Sequence, residues 1–88
     1  MVDLNQFRKT AEITFDPHVF VRQGERHVEI DFVVQTVRTG RIVGEKCIPP
    51  RKVCLSKYHG KERQTYVVIV YIHEDFIEVK TVWQRKGT

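Results

Sequence analysis

Three residues draw attention by spacing. His18, Arg22 and Arg26 recur at intervals of four, which on a helix sets them on one face. An imidazole can move a proton near neutral pH, and guanidinium groups stabilise charge on a phosphoryl oxygen. The same three side chains also fit an ordinary solvated face balanced by Glu25 and Glu29. A second group, Lys57-Tyr58-His59, offers a cation, a stacking ring and an imidazole at the end of a short apolar run. Basic and aromatic residues interleaved in this way suit an RNA backbone and its splayed bases. The bland alternative is a polar turn with Tyr58 half packed. The chain closes on Lys80-Thr81-Val82-Trp83-Gln84-Arg85-Lys86, where basic groups flank the only tryptophan. The catalytic candidates are therefore His18, Arg22, Arg26 and His59. The RNA-binding candidates are Arg51, Lys52, Lys57, Tyr58, Lys61, Arg63, Lys80 and Arg85. Tyr66, Tyr71 and Trp83 are expected in the core.

Other chemistries find no motif. There is no phosphate-binding glycine loop, serine-nucleophile motif or HExxH zinc motif. Cys47 and Cys54 lack the close pairing of zinc ribbons and are too few for a disulfide framework, so free thiols are expected in preference to a disulfide or a metal site. Neither a metal nor a cofactor is called for.

Charge narrows the partners. The formal net charge is +4. Residues 1–50 carry seven basic and seven acidic side chains, and residues 74–88 also cancel. The whole excess lies in residues 51–63, where Arg51, Lys52, Lys57, Lys61 and Arg63 face Glu62 alone. A compact phosphate or an acidic peptide fits so local a patch better than a membrane surface does. The longest apolar run, Tyr66 to Ile72, is seven residues, far short of a membrane span, and the first ten residues lack the apolar stretch of a signal peptide. A cytoplasmic protein is the default expectation.

Several elements must position these groups. An 88-residue chain with 41% hydrophobic and 30% charged residues supports one core and no more. Residues 1–11 show no sustained period and read as an irregular arm, leaving 12–86 as one domain. Ile13-Thr14-Phe15 reads as a short strand. Asp16-Pro17 is a helix start, with Asp as N-cap, for a short helix to about Glu25, followed by a turn at Arg26-His27-Val28. Ile30, Val33, Val34 and Val37 mark one face of a second helix from about Ile30 to Thr39, with Gly40 placed for a left-handed cap. Arg41–Lys46 and Lys52–Tyr58 are strand candidates separated by the Pro49-Pro50 break. Tyr66–Ile72 reads as a central strand covered on both faces. Phe76–Trp83 follows as a strand with Ile77, Val79, Thr81 and Trp83 on one face and Phe76, Glu78, Lys80 and Val82 on the other. The fold class is α+β: two short helices on a curled antiparallel sheet of about four strands, with a short N-terminal strand.

The order of these features resembles small prokaryotic domains related to the BrnT and RelE/ParE toxins. The residues that carry the resemblance are Phe15, His18, Arg22, Arg26, Val28, Val33, Val37, Gly40 and Thr81-Val82-Trp83, spread over residues 13–86. His27 and Glu29 depart from the small residue and the capping Ser or Asp usual there. The resemblance implies a RelE-like fold and, as in characterised relatives, endoribonuclease activity neutralised by an acidic antitoxin, or a ParE-like action on gyrase.

Two functions of different kind follow. One is a metal-independent endoribonuclease of a toxin–antitoxin system, cleaving RNA by attack of a ribose 2′-OH. The other is a non-catalytic basic module that binds RNA or an acidic protein partner. The gyrase-directed poison is a third reading, and a homodimer is left open.

Overall fold

β-Branched and aromatic residues dominate residues 66–72, and that stretch forms the middle of the sheet. The computed structural model describes residues 4–19, 29–44, 47 and 51–86. Its elements are α1 (Leu4–Thr10), β1 (Glu12–Phe15), α2 (Ile30–Thr39), β2 (Arg41–Ile42), β3 (Lys52–His59), β4 (Gln64–Ile72) and β5 (Phe76–Lys86). The sheet order is β1-β5-β4-β3-β2. Short turns force β3, β4 and β5 into antiparallel neighbours, and β2 adds antiparallel to β3. β1 instead runs parallel to β5. No hairpin joins those two strands, so their direction is set by the path of the intervening chain. The fold is α+β with an open, five-stranded mixed sheet, where sequence alone suggests an antiparallel one of about four strands.

Both helices pack on one face of the sheet. Val33 and Val37 of α2 meet Val53, Leu55, Tyr66, Val68, Val70, Ile77, Val79 and Val82, all buried. The buried stripe of α2 is Val33, Thr36 and Val37, while Ile30 and Val34 are only half-buried. Thr36 can replace an apolar residue there because its hydroxyl donates to the Phe32 carbonyl at 2.7 Å, leaving no donor unpaired.

The N-terminal segment is not an irregular arm. Residues 4–10 form α1, whose Leu4 and Phe7 pack on the core. The C-terminal ends of α1 and α2 meet, and two like dipole ends would repel. Each helix answers with an arginine laid across the other. Buried Arg8 donates to the carbonyls of Gly40 at 2.9 Å and Arg38 at 3.3 Å. Arg38 donates to those of Arg8, Lys9 and Ala11 at 3.0, 3.0 and 3.2 Å. Five carbonyls at or just past the two helix ends are thereby engaged. Burial lowers the Arg8 pKa, though a guanidinium stays charged at any ordinary pH.

Gly40 is not a left-handed cap. Its φ of −70° and ψ of 164° are extended, because the chain passes straight into β2. A Cβ at Gly40 would lie 2.4 Å from the Thr36 carbonyl oxygen and 3.0 Å from that of Ser56, so glycine is needed for the close approach of α2 to β3. β2 itself covers only Arg41–Ile42, shorter than the expected strand to Lys46. The short helix expected from Pro17 is helical at residues 17–19. The remainder of it, with Arg22, Arg26 and the turn at His27-Val28, lies outside the described residues. Among the described residues no helix is long and apolar enough to cross a membrane.

Gly40→Ala tests the close approach. Both obstructing atoms are backbone, so the substitution should destabilise the fold by about 2–3 kcal/mol, read as a lower urea midpoint with unchanged m-value. A loss below about 0.5 kcal/mol, the range of ordinary surface substitutions, would show that the contact is absent.

Candidate nucleic-acid interface

The face of the sheet opposite the helices is organised by one irregularity. In β5, Val79 pairs with Val70 and Thr81 with Ile69, so Lys80 is an extra residue between adjacent pairs. Such a bulge reverses the alternation of side chains. Ile77 and Val79 face the helices before it, and Val82 and Gln84 face them after it. Lys80, Thr81 and Trp83 are turned to the open face instead. The expected grouping of Ile77, Val79, Thr81 and Trp83 on one side is therefore broken after Val79, and half-buried Trp83 lies outside the helix-side core.

Register then lays the open face out in four rows across β3, β4 and β5. They are Tyr58, Thr65, Arg85; Ser56, Val67, Trp83; Cys54, Ile69, Thr81; and Lys52, Tyr71, Glu78, with Lys80 beside the last. The middle rows are closed to solvent at Ser56, Cys54 and Val67. Aromatic rings open at the two ends, Tyr58 at 42% and Tyr71 at 38% exposure. β4 is thus covered on both faces from Thr65 to Val68 and uncovered at Tyr71, which is not a core residue as expected.

At the Tyr71 end there is a groove of about 440 Å³ lined by Asp16, His18, Lys52, Ile69, Tyr71, Lys80 and Thr81. Asp16 directly follows β1 and caps the helical turn after it, accepting the His18 backbone N–H at 2.9 Å on Oδ1. The same oxygen accepts His18 Nδ1–H at 2.8 Å, and Oδ2 accepts Lys80 Nζ at 2.6 Å. Because an ionised carboxylate only accepts, His18 carries a proton on Nδ1, and the bond leaves Nε2 facing away from Asp16. Lys80 Nζ also lies 5.6 Å from the centre of the Tyr71 ring and 4.0 Å from Glu78 Oε2. His73 holds the other Glu78 oxygen at 3.0 Å and stacks on Phe76. The Lys80 bond, followed by the two His18 bonds, holds the Asp16 carboxyl far below the usual carboxylate range. The Asp16 bond raises the Lys80 pKa in return.

The other histidine candidate has a different environment. His59 is buried on the helix side, stacked on Phe32 at 4.5 Å and edge-on to Tyr66 at 5.1 Å. Its Nε2 lies 3.0 Å from Thr36 Oγ1. The Thr36 hydroxyl spends its proton on Phe32, so the imidazole is the donor. Burial first, and Lys57 second, lower the His59 pKa and favour the neutral ring. Tyr66 beside it is fully buried, its hydroxyl accepting from the Glu29 N–H and from Gln84 Nε2 and donating to Glu62.

His18 and His59 are therefore not brought into one cleft. They lie on opposite faces and at opposite ends of a sheet about 20 Å long between the Thr65 and Tyr71 rows. The structure gathers Lys52, Lys80 and His18 at one end. At the other it gathers Tyr58 and Arg85 beside the 60–63 turn that carries exposed Lys61 and Arg63. Arg63 takes a positive φ of 55° to close that turn. Arg51 is exposed next to Lys52, whereas Lys57 sits half-buried on the helix side. Sequence reasoning overlooked Asp16 and Thr81 as site residues and assigned Tyr71 to the core. The Val79-x-x-Val82 spacing, three where a straight strand has two, is a signal for the outward turn of Thr81; no such signal marks Asp16 or Tyr71. Among the described residues no three His, Cys, Asp or Glu side chains converge on a metal position, and both cysteines are free thiols.

The Asp16–Lys80 pair makes a pH prediction. A depressed carboxylate pKa stabilises the fold above the unfolded value near 4 and withdraws that support as pH falls toward the folded value. Asp16→Asn should lower the melting temperature at pH 6–7, and its deficit against wild type should shrink steadily below about pH 4. A deficit independent of pH would show that the ion pair does not form. Comparison of the chain with protein-family models, curated proteins and solved structures finds no match.

Proposed function

We propose that this protein is a binding module for single-stranded RNA, which it engages through the exposed rings and cations at the two ends of this sheet face. One observation carries the reading: Tyr58 and Tyr71, both exposed, stand at opposite ends of the same sheet face, each beside cations. Tyr58 has Arg85, Lys61 and Arg63 near it, and Tyr71 has Lys52 and Lys80. Rings take bases by stacking and cations take the backbone, a combination that tolerates many sequences. The spread over about 20 Å favours an extended polyanion over a compact one. Rings at both ends favour nucleobases over an acidic peptide, which would use the cations alone.

Fluorescence anisotropy with a labelled eight-nucleotide single strand tests this. Binding should weaken steeply with salt, and Tyr58→Ala and Tyr71→Ala should each lower affinity about 5- to 100-fold, the range for one lost base stack. If a poly-glutamate peptide competes as well as RNA does and both tyrosine variants are neutral, the acidic-protein partner is the correct reading.

The Asp16–His18 pair favours a second reading, the toxin-type endoribonuclease that the resemblance to the BrnT and RelE/ParE domains implies, together with their RelE-like fold. In it His18 Nε2 would take the proton of a ribose 2′-OH as that oxygen attacks phosphorus. Lys52 and Lys80 would stabilise the developing phosphorane charge. The 5′-oxygen then leaves, taking a proton from water, and the product carries a 2′,3′-cyclic phosphate. Arg22 and Arg26 remain candidates for the same phosphate on the strength of their spacing. Chelator-insensitive cleavage of RNA by wild type, lost at least about 100-fold in His18→Ala, the lower end of general-base contributions, would support it. Binding without cleavage would leave the module as the function.

A further inference from the structure

We propose that the groove over Tyr71 takes the terminal phosphate of an RNA strand, so that the module reads a strand's end as well as its length; this rests on the RNA-binding reading above. Lys52 on β3 and Lys80 on β5 straddle Tyr71 on β4. Three adjacent strands set their backbones about 10 Å apart, a span that two lysine side chains close readily over one phosphate. Among the described residues Asp16 is the one carboxylate in the lining, with both oxygens engaged by His18 and Lys80, while Glu78 beside it is held by His73 and lies 4.0 Å from Lys80. An ammonium has three donors, so Lys80 keeps hydrogens for a ligand after bonding Asp16. Lys52 has no ion-pair partner among the described residues. Thr81 adds a hydroxyl to the lining.

Two features select an end over an internal linkage. The first is the wall. Asp16 and the helical turn it caps, fixed by the His18 N–H to Oδ1 and Val19 N–H to Asp16 carbonyl bonds at 2.9 Å each, stand on the β1 side of the groove. A phosphodiester continuing in that direction would run into a carboxylate, whereas a terminal phosphate stops short of it. The volume, about 440 Å³, is near the low end of small-ligand pockets and suits one nucleotide. The second is charge. A phosphate monoester carries close to two negative charges near neutral pH against one for a diester, and Lys52, whose charge no carboxylate offsets among the described residues, rewards the difference.

Three RNAs of one six-nucleotide sequence provide the test: one with a 5′-phosphate, one with a 3′-phosphate and one with hydroxyls at both ends, each measured at fixed salt. One phosphorylated form should bind at least about tenfold more tightly than the hydroxyl form, as expected for a charge-assisted contact, and the better of the two identifies the end that is read. Lys52→Gln should bring that ratio toward one, and Lys52→Arg should retain it. Equal affinity for all three RNAs overturns the proposal while leaving RNA binding intact. A ratio unchanged in Lys52→Gln also overturns it, since the phosphate would then sit elsewhere. Absence of binding by all three RNAs removes the RNA reading itself.

Discussion

The extra residue in β5 is the constraint on which the rest of the open face depends. Val79 and Val82 are both needed under the helices, and a straight strand cannot turn residues three apart to one side. The bulge at Lys80 resolves the conflict. In doing so it sets Lys80 and Thr81 side by side on the face away from the helices and brings the ammonium to the end of β1, where Asp16 waits 2.6 Å away. A single register shift thus builds the core and the groove together. It also orients Trp83 outward while Gln84 turns inward to the Tyr66 hydroxyl, so the hydrogen bonds at the far end of the strand inherit the same shift.

The helix side supplies rigidity. The exchange of Arg8 and Arg38 across two helix ends, and the glycine at residue 40 that lets α2 approach β3, fix α2 over the sheet. α2 in turn covers His59 with Phe32 and Thr36. A histidine enclosed by two rings, donating to a threonine and biased toward neutrality, is a packed core residue. Its place at the end of a basic run gave it the look of a catalyst, but strand alternation turns it inward and Tyr58 outward.

Elements with strong local patterns were legible. The central strand, the span of α2, the capping role of Asp16 and the antiparallel order of the last three strands all follow from composition, period and turn length. What could not be read depends on partners distant in sequence. α1 has no clear apolar period because it is held partly by Arg8, a residue whose burial makes sense only once the end of α2 is in place. The parallel pairing of β1 with β5 joins segments more than sixty residues apart. At the site, Lys80 was foreseen as a cation but not as the partner of Asp16. The spacing of Val79 and Val82 is the local sign of the bulge, and the regular alternation on either side of it masks it.

Folding also changes what the charge means. Along the chain, the five cations of residues 51–63 read as one compact patch. In the fold, β3 runs through the middle of that segment, placing Arg51 and Lys52 at one end and Lys61 and Arg63 at the other, more than 20 Å apart. Each pair of cations comes to lie near an exposed tyrosine. Local density in sequence has become a stripe in space, and a stripe matches a ligand whose charges are spaced along its length. A compact phosphate could engage only one end of it, and that end is the groove where Asp16 and Lys80 meet.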